Sequence, residues 1–208
     1  MYTGITASSQ TLRDFLTARL RDDASLGPFF DPGLGGTMIV SLDTPDEMIR
    51  LNQHGVSLWL YRVVRDENLL NEPPHRLNKL QYRHTPLPVR LHYLVTPLMA
   101  RTQAAATELE QTVLGKVLQV FHDRAKFRGP DLHGDLSGKT DVELFVRLES
   151  MSLEEITKVW FALEESYQLS VSYEVSVVCI ESEILDDLAP VETALTRSGI
   201  IVSREEAH

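Results

Sequence analysis

The chain has 208 residues, of which 43% are hydrophobic and 24% are charged, and its formal net charge at pH 7 is −10. This composition is typical of a globular protein that is long enough to bury a core. An acidic chain without a basic stripe is a poor partner for nucleic acid, because such binding depends on neutralising phosphates. No apolar run approaches the ~20 residues that span a bilayer, so we expect no membrane insertion.

The N-terminal sequence lacks the basic start and apolar middle of a signal peptide. The single cysteine, Cys179, cannot form an internal disulfide, which suits a reducing compartment. Because Cys179 falls within an apolar strand pattern, we expect its thiol to be buried. These features predict assembly in the cytoplasm.

The first third of the chain predicts a helix, a short helical segment and two strands. Apolar spacing favours a helix over residues 5–20, and proline followed by two acids favours a short helix or turn at Thr44–Leu51. The strands are "TMIVSL" (37–42) and "GVSLWLYRVVRD" (55–66). Alternation along the second strand predicts one face with Val56, Leu58, Leu60 and Arg62.

A stretch of about twenty residues, Glu67–Pro86, follows this strand and is predicted to be a loop. The next strand is "LPVRLHYLVTPLM" (87–99), which ends at a proline. Its alternation predicts that Leu91 and Tyr93 share one face and that Arg90, His92 and Leu94 share the other. An arginine and a histidine on an otherwise apolar strand indicate a catalytic site, a metal site or a subunit contact.

The second half of the chain begins with the strongest helix, 102–125. Its apolar stripe consists of Leu109, Val113, Leu114, Val117, Val120 and Phe121. Gly115 interrupts the helix, which predicts close packing at that point. The turn-rich segment Phe127–Lys139 is predicted to be a loop.

Two strands and one helix complete the predicted elements. The strand 141–150 leads into a short helix that begins with a capping box, Ser152 with Glu155. That helix should pack through Leu153, Ile156, Val159, Trp160 and Leu163. A long strand follows at 169–182, and a short one is predicted at Ile200–Val202.

This order of elements favours a single α/β (α+β) domain, with a mixed β-sheet and packed helices. The domain is predicted to cover residues 1–183, and residues 184–208 form a C-terminal extension. The glycines of "GLGG" (33–36) follow a loop and precede a strand, which is the wrong setting for a phosphate-binding loop.

Polar residues between the long helix and the following strand raise the alternative of a metal site. They are Asp131, His133, Asp135, His122 and Asp123. Such residue types bind transition metals, although the HxxxH or HExxH spacing that places two ligands on one helix face is absent. A small metal-dependent hydrolase is therefore one open hypothesis, and a polar turn beside a helix end is the simpler interpretation.

Four segments, in their order along the chain, resemble one protein family. They are "VSLWLYRVVRDENLLNEPP", "LPVRLHYLVTP", "ELEQTVLGKVLQVFHD" and "LEEITKVWFALEESYQLSVSYEVSVVCIES". The most specific positions are Leu91, His92, Tyr93, Leu94, Thr96, Pro97, Leu114, Gly115, His122, Asp123, Trp160, Leu163, Tyr167, Ser170, Tyr173 and Val175. Over residues 5–183 the chain resembles the cap or tail-terminator proteins of extracellular contractile injection systems, which are phage-tail-like particles.

The resemblance implies a structural protein with a phage tail-terminator-like fold. Such subunits form a ring, expected to be hexameric, that ends the inner tube and the sheath away from the baseplate. The implied partners are other copies of the chain, the tube protein and the sheath protein. No catalysis and no cofactor are implied, and the particle that carries the cap can leave the cell.

A ring subunit needs two different surfaces for head-to-tail contact. We therefore predict interface roles for Arg90 and His92, as polar groups satisfied inside the fold or across a subunit boundary. Asn71 and Arg76 belong to the long loop that could reach a neighbour. The alternatives are that Arg90 and His92 face solvent, and that the chain is a monomeric protein-binding adaptor.

Overall fold

The computed structural model describes residues 2–69, 75–78, 81–100, 105–139 and 142–187, with the backbone alone for His75 and Val177. Its α-helices are α1 (Gly4–Arg21), α2 (Gly27–Phe30), α3 (Pro45–Arg50), α4 (Ala106–Asp123) and α5 (Leu153–Ala162). Short 3₁₀ turns lie at Pro32–Leu34, Glu67–Leu69, Gly129–Asp131 and Gly134–Leu136. Within these residues, no helix combines the length and apolarity needed to cross a membrane.

The strands form two sheets. They are β1 (Ile39–Ser41), β2 (Gly55–Arg65), β3 (His75–Arg76), β4 (Gln81–Arg83), β5 (Leu87–Leu98), β6 (Lys126–Arg128), β7 (Glu143–Leu148), β8 (Val171–Ile180) and β9 (Leu185–Asp187). The larger sheet has the order β1-β2-β5-β8-β7-β6. β1 pairs with β2 in parallel and the other pairs are antiparallel, so the predicted mixed sheet is confirmed.

The central strand β5 presents two different faces, as its alternation predicts. On the first face, Leu91, Tyr93 and Val95 are fully buried in the main core, and α1 and α4 pack there. The second face carries Arg90, His92 and Leu94, and Leu94 is buried beneath α5. The long hydrophobic strand therefore contributes to two cores, one on each side of the sheet.

Local sequence signals account for helices α3, α4 and α5. Thr44 caps α3 and Ser152 caps α5, each in a capping box completed by a glutamate three residues later. The predicted stripe of α4 faces the main core. The prediction of close packing at Gly115 is wrong, because this residue is exposed and a Cβ there would meet open space.

A β-bulge changes the predicted faces of β2. Leu60 pairs with Tyr93 and Arg62 with His92, so Tyr61 is an additional residue between two consecutive positions of β5. Arg62 therefore lies on the second face with His92, although simple alternation placed it with Leu60.

A second irregularity corrects the prediction that the Cys179 thiol is buried. Val89 pairs with Val178 and Leu91 with Val175, so β8 contains one more residue than β5 over this stretch. The additional residue turns Val178 into the main core and leaves Cys179 exposed. A strict alternation from Val175 would have buried position 179 instead.

The predicted loop between β2 and β5 contains regular structure. Strands β3 and β4 pair with each other, and β4 also pairs with β9 to form a three-stranded sheet. β9 belongs to the predicted C-terminal extension, so the extension contacts the domain through Tyr82 and Arg83. The strand predicted at Ile200–Val202 and the loop residue Asn71 lie outside the described residues.

Candidate functional site

The second face of the sheet carries an ion-pair cluster centred on Arg90. Its Nε lies 3.1 Å from Asp66 Oδ2, and its Nη1 lies 3.4 Å from Glu174 Oε2. The hydrogen bond that the backbone N–H of Asn68 donates to Asp66 lowers the pKa of this carboxyl, and Arg90 lowers it further. Asp66 is buried, so the pair places a carboxylate and a guanidinium inside the edge of the fold.

A hydrogen-bonded network surrounds His92 on the same face. His92 Nδ1 lies 2.9 Å from Glu149 Oε1, and the Ser172 hydroxyl donates to the other oxygen of Glu149. The Tyr61 hydroxyl lies 3.0 Å from Ser172 Oγ, and burial is the main cause that raises the pKa of Tyr61. The network joins β2, β5, β8 and the end of β7, so it holds adjacent strands in register.

Helix α5 covers the second face beside this network. Ile156 and Trp160 pack on Leu94, and the Trp160 indole N–H donates a hydrogen bond of 3.0 Å to Ser170 Oγ. The next residue, Phe161, is 83% exposed. Leu153 is also exposed, which corrects its predicted packing, because the contact with Leu94 begins one turn later at Ile156. The outward side of α5 therefore exposes apolar side chains at the surface.

Two grooves border the end of β7. An apolar groove of about 550 Å³ lies between α4 and the sheet, and a polar groove of about 310 Å³ lies on the other side. The apolar groove is lined by residues that include Leu118, Phe121, Val146, Leu148 and Tyr173. It can accept an apolar side chain, whereas the carboxylates and arginines of the polar groove suit ions or polar groups.

The five residues of the hydrolase hypothesis do not form one cluster. Asp131 pairs with Arg124, His133 Nδ1 lies 3.6 Å from Asp14, and Asp135 accepts a hydrogen bond from Thr3. His122 and Asp123 are exposed at the end of α4. These contacts hold the segment after α4 against α1.

Most of the chain is related to a known protein family. Residues 7–193 match the family described as "Pvc16 N-terminal domain". The chain belongs to this family. The matched residues include all six strands of the larger sheet. The match confirms the relationship that the four sequence segments predict. No curated protein matches the chain.

Two solved structures share the fold of this chain. One is a cryo-EM structure of the PVC sheath/tube terminator of an extracellular contractile injection system in its extended state. It is 18% identical, covers 97% of this chain and 65% of that chain, and has a TM-score of 0.60. The other is the cryo-EM structure of the anti-feeding prophage cap, a tube-terminating cap. It is 18% identical, its match covers 89% of this chain and 59% of that chain, and its TM-score is 0.56.

These similarities confirm the predicted terminator-like α/β fold. At 18% identity they establish the fold alone. The chain spans less than two thirds of the length of either structure. The assembly that each structure names is therefore a property of that protein, and its transfer to this chain is a proposal.

The structure describes three of the four residues that are predicted to lie at an interface. Arg90 and His92 bind carboxylates within the chain, with His92 buried and Arg90 partly exposed. Arg76 is exposed on β3, where its Nε donates to the backbone carbonyl of Asn78. Arg76 therefore lies in the smaller sheet, whereas Arg90 and His92 lie in the larger one. Asn71 is outside the described residues.

No sequence-based prediction identified the partners of Arg90 and His92. They are Asp66, Glu149 and Glu174. Glu174 could have been singled out from the sequence, because it is a charged residue within a largely apolar strand. The structure places it opposite His92 in the strand register. Asp66 and Glu149 follow strands β2 and β7, and no local pattern shows which strand each one meets.

Proposed function

We propose that this chain is a structural cap, or tail terminator, of a contractile injection system. The observation that carries the proposal is the shared fold, which covers 97% of the chain in the match to a sheath/tube terminator. Family membership over residues 7–193 supports the same assignment. The cap ends the inner tube and the sheath at the end distal to the baseplate.

The chain acts through contacts with proteins in this proposal, and not through catalysis. Its partners are other copies of itself in a hexameric ring, the tube protein and the sheath protein. Exposed Phe161 and Leu153 on α5 and the apolar groove beside α4 supply different apolar surfaces on opposite faces of one sheet. Two unlike surfaces are what a head-to-tail ring contact requires.

The predicted interface role of Arg90, His92, Asn71 and Arg76 forms part of the proposal. Arg76 would contact a neighbour directly, since it is exposed on the small sheet. Arg90 and His92 would contribute indirectly, by holding Glu174 and Glu149 in place beside the polar groove. The assembled ring would form in the cytoplasm as part of a particle that can be released.

The decisive experiment measures mass in solution by light scattering, for the chain alone and mixed with tube protein. The expected species is a hexamer of the 23.5 kDa chain, either alone or on addition of the tube protein. A monomer under both conditions would overturn the ring, and a monomer that binds another protein would favour the adaptor hypothesis.

Substitutions separate an interface effect from a loss of charge. Arg76→Ala should reduce the hexamer fraction without changing the unfolding temperature. Arg50→Ala is the matched control, because Arg50 is an exposed arginine on α3 that pairs with Asp46 on the same helix. Equal effects of the two substitutions would remove Arg76 from the interface.

A further inference from the structure

The second face brings together three potential metal ligands from different elements. They are His92 on β5, Glu174 on β8 and Glu149 just after β7. One ligand atom from each residue lies within 4.8 Å of the other two. His92 and Glu174 are paired directly across the two strands, so neither can move far without disturbing the sheet.

Burial distinguishes this cluster from a group of surface carboxylates. The exposed fraction of the side chain is 9% for His92, 13% for Glu174 and 24% for Glu149. Surface acids gain little from a bound cation because water and salt screen them. Partly buried carboxylates are screened less, so their negative charge is costly unless a cation or a proton neutralises it.

The charges around the cluster leave an excess of carboxylates. Glu174 has a contact with Arg90 at 3.4 Å, but Arg90 lies closer to Asp66, with distances of 3.1 Å and 3.2 Å. Glu149 is bound by His92 and by the Ser172 hydroxyl, neither of which carries a permanent positive charge. The other charged side chains that line the adjoining groove are Arg62, Arg147 and Glu155.

We propose that His92, Glu149 and Glu174 form a binding site for a divalent transition-metal ion of the Zn²⁺ type. An imidazole nitrogen with two carboxylates suits Zn²⁺, whereas Mg²⁺ and Ca²⁺ prefer ligand sets made of oxygen alone. Glu149 and Glu174 line the polar groove of about 310 Å³, which gives the ion a path from solvent and space for a water ligand.

A bound ion would join β5, β8 and the end of β7 at one point. Binding requires a neutral imidazole and ionised carboxylates, so it competes with protons and weakens as the pH falls. It also replaces the contact between His92 and Glu149 with two bonds to the ion. The folded chain should therefore gain stability as the concentration of free ion rises above its dissociation constant.

The test is a titration of the full chain with ZnCl₂, followed by calorimetry and by thermal unfolding. We expect saturable binding of one ion per chain and a rise in the unfolding temperature. MgCl₂ at the same concentration should give neither effect. No binding of Zn²⁺, or equal stabilisation by Mg²⁺, would overturn the site.

Variants locate the ion. Glu174→Gln and His92→Gln should each weaken Zn²⁺ binding by at least about tenfold, and Glu174→Gln still reports if the His92 variant fails to fold. His133→Gln is the matched control, because His133 also lies near a carboxylate but belongs to the segment after α4. Unchanged binding in Glu174→Gln, or an equal loss in His133→Gln, would contradict the assignment. None of these measurements depends on ring formation.

Discussion

Arg90 of β5 and Asp66, the residue that follows β2, form an ion pair at 3.1 Å between Nε and Oδ2. The carboxyl is buried, and the backbone N–H of Asn68 also donates to it. The backbone N–H of Asp66 in turn donates to the carbonyl of Pro88 at 2.9 Å. Asp66 therefore ties the end of β2 to β5 through both its side chain and its backbone.

Asp66→Asn should lower the free energy of unfolding at neutral pH by about 3 kcal/mol, because it leaves Arg90 without its main counter-charge. The pKa of Asp66 is lowered from its ordinary value of 3.8. Its stabilising effect is therefore complete above that pH and is lost as the pH falls through the lower pKa of the folded state. Denaturant unfolding between pH 7 and pH 2 measures both effects.

Glu154→Gln is the control for this prediction. Glu154 forms an exposed pair with Lys158 on α5, and such pairs contribute less than about 1 kcal/mol. Equal losses of stability in the two variants would show that Asp66 is no more important than a surface carboxylate.

Gly115→Ala should stabilise the protein by about 1 kcal/mol, because alanine favours the helix and a Cβ at this position meets open space. Gly55→Ala should have the opposite effect. Gly55 has φ of 132°, and a Cβ there would collide with the backbone of Ile39 on the paired strand. Thermal unfolding of the two variants compares them directly, and destabilisation by Gly115→Ala would contradict the exposed position.

Adjacent substitutions in α5 should separate the core from the partner surface. Trp160→Ala removes a side chain that is 1% exposed, and it should cost about 4 kcal/mol. Phe161→Ala should change the free energy of unfolding by less than about 0.5 kcal/mol, since the ring is exposed. Chemical denaturation measures both values.

The same Phe161 variant then tests the proposed ring. Its stability should be unchanged while its hexamer fraction in the presence of tube protein falls. Lys158→Ala, which alters another exposed side chain of α5, should preserve the hexamer. A normal hexamer in Phe161→Ala would place the subunit contact elsewhere on the chain.

The Cys179 thiol should react with a maleimide in the native protein, because the additional residue in β8 turns it outward. Mass spectrometry of the native and the denatured chain should give similar labelling after the same time. Protection of the native thiol would mean that β8 keeps the strict alternation expected from its sequence. Cys179→Ser should leave the unfolding temperature nearly unchanged.

Much of the architecture could be predicted from local patterns. The faces of β5, the stripe of α4 and the capping boxes at Thr44 and Ser152 depend on residues that are close in the sequence. Apolar periodicity and capping chemistry identify such features without knowledge of distant contacts. The four segments were also specific enough to predict the family.

The candidate site depended on contacts that no local pattern contains. Glu149 lies 57 positions from His92 in the sequence, and their contact exists because β8 holds β5 and β7 on its two sides. The positions of Arg62 and Cys179 also escaped local patterns, because each follows a bulge in its strand. One additional residue in a strand moves the side chains that follow it to the opposite face of the sheet. The sequence by itself therefore determined which residues are apolar, capped or charged along each element, while strand order and register, which are set by long-range pairing, decided which charged groups meet.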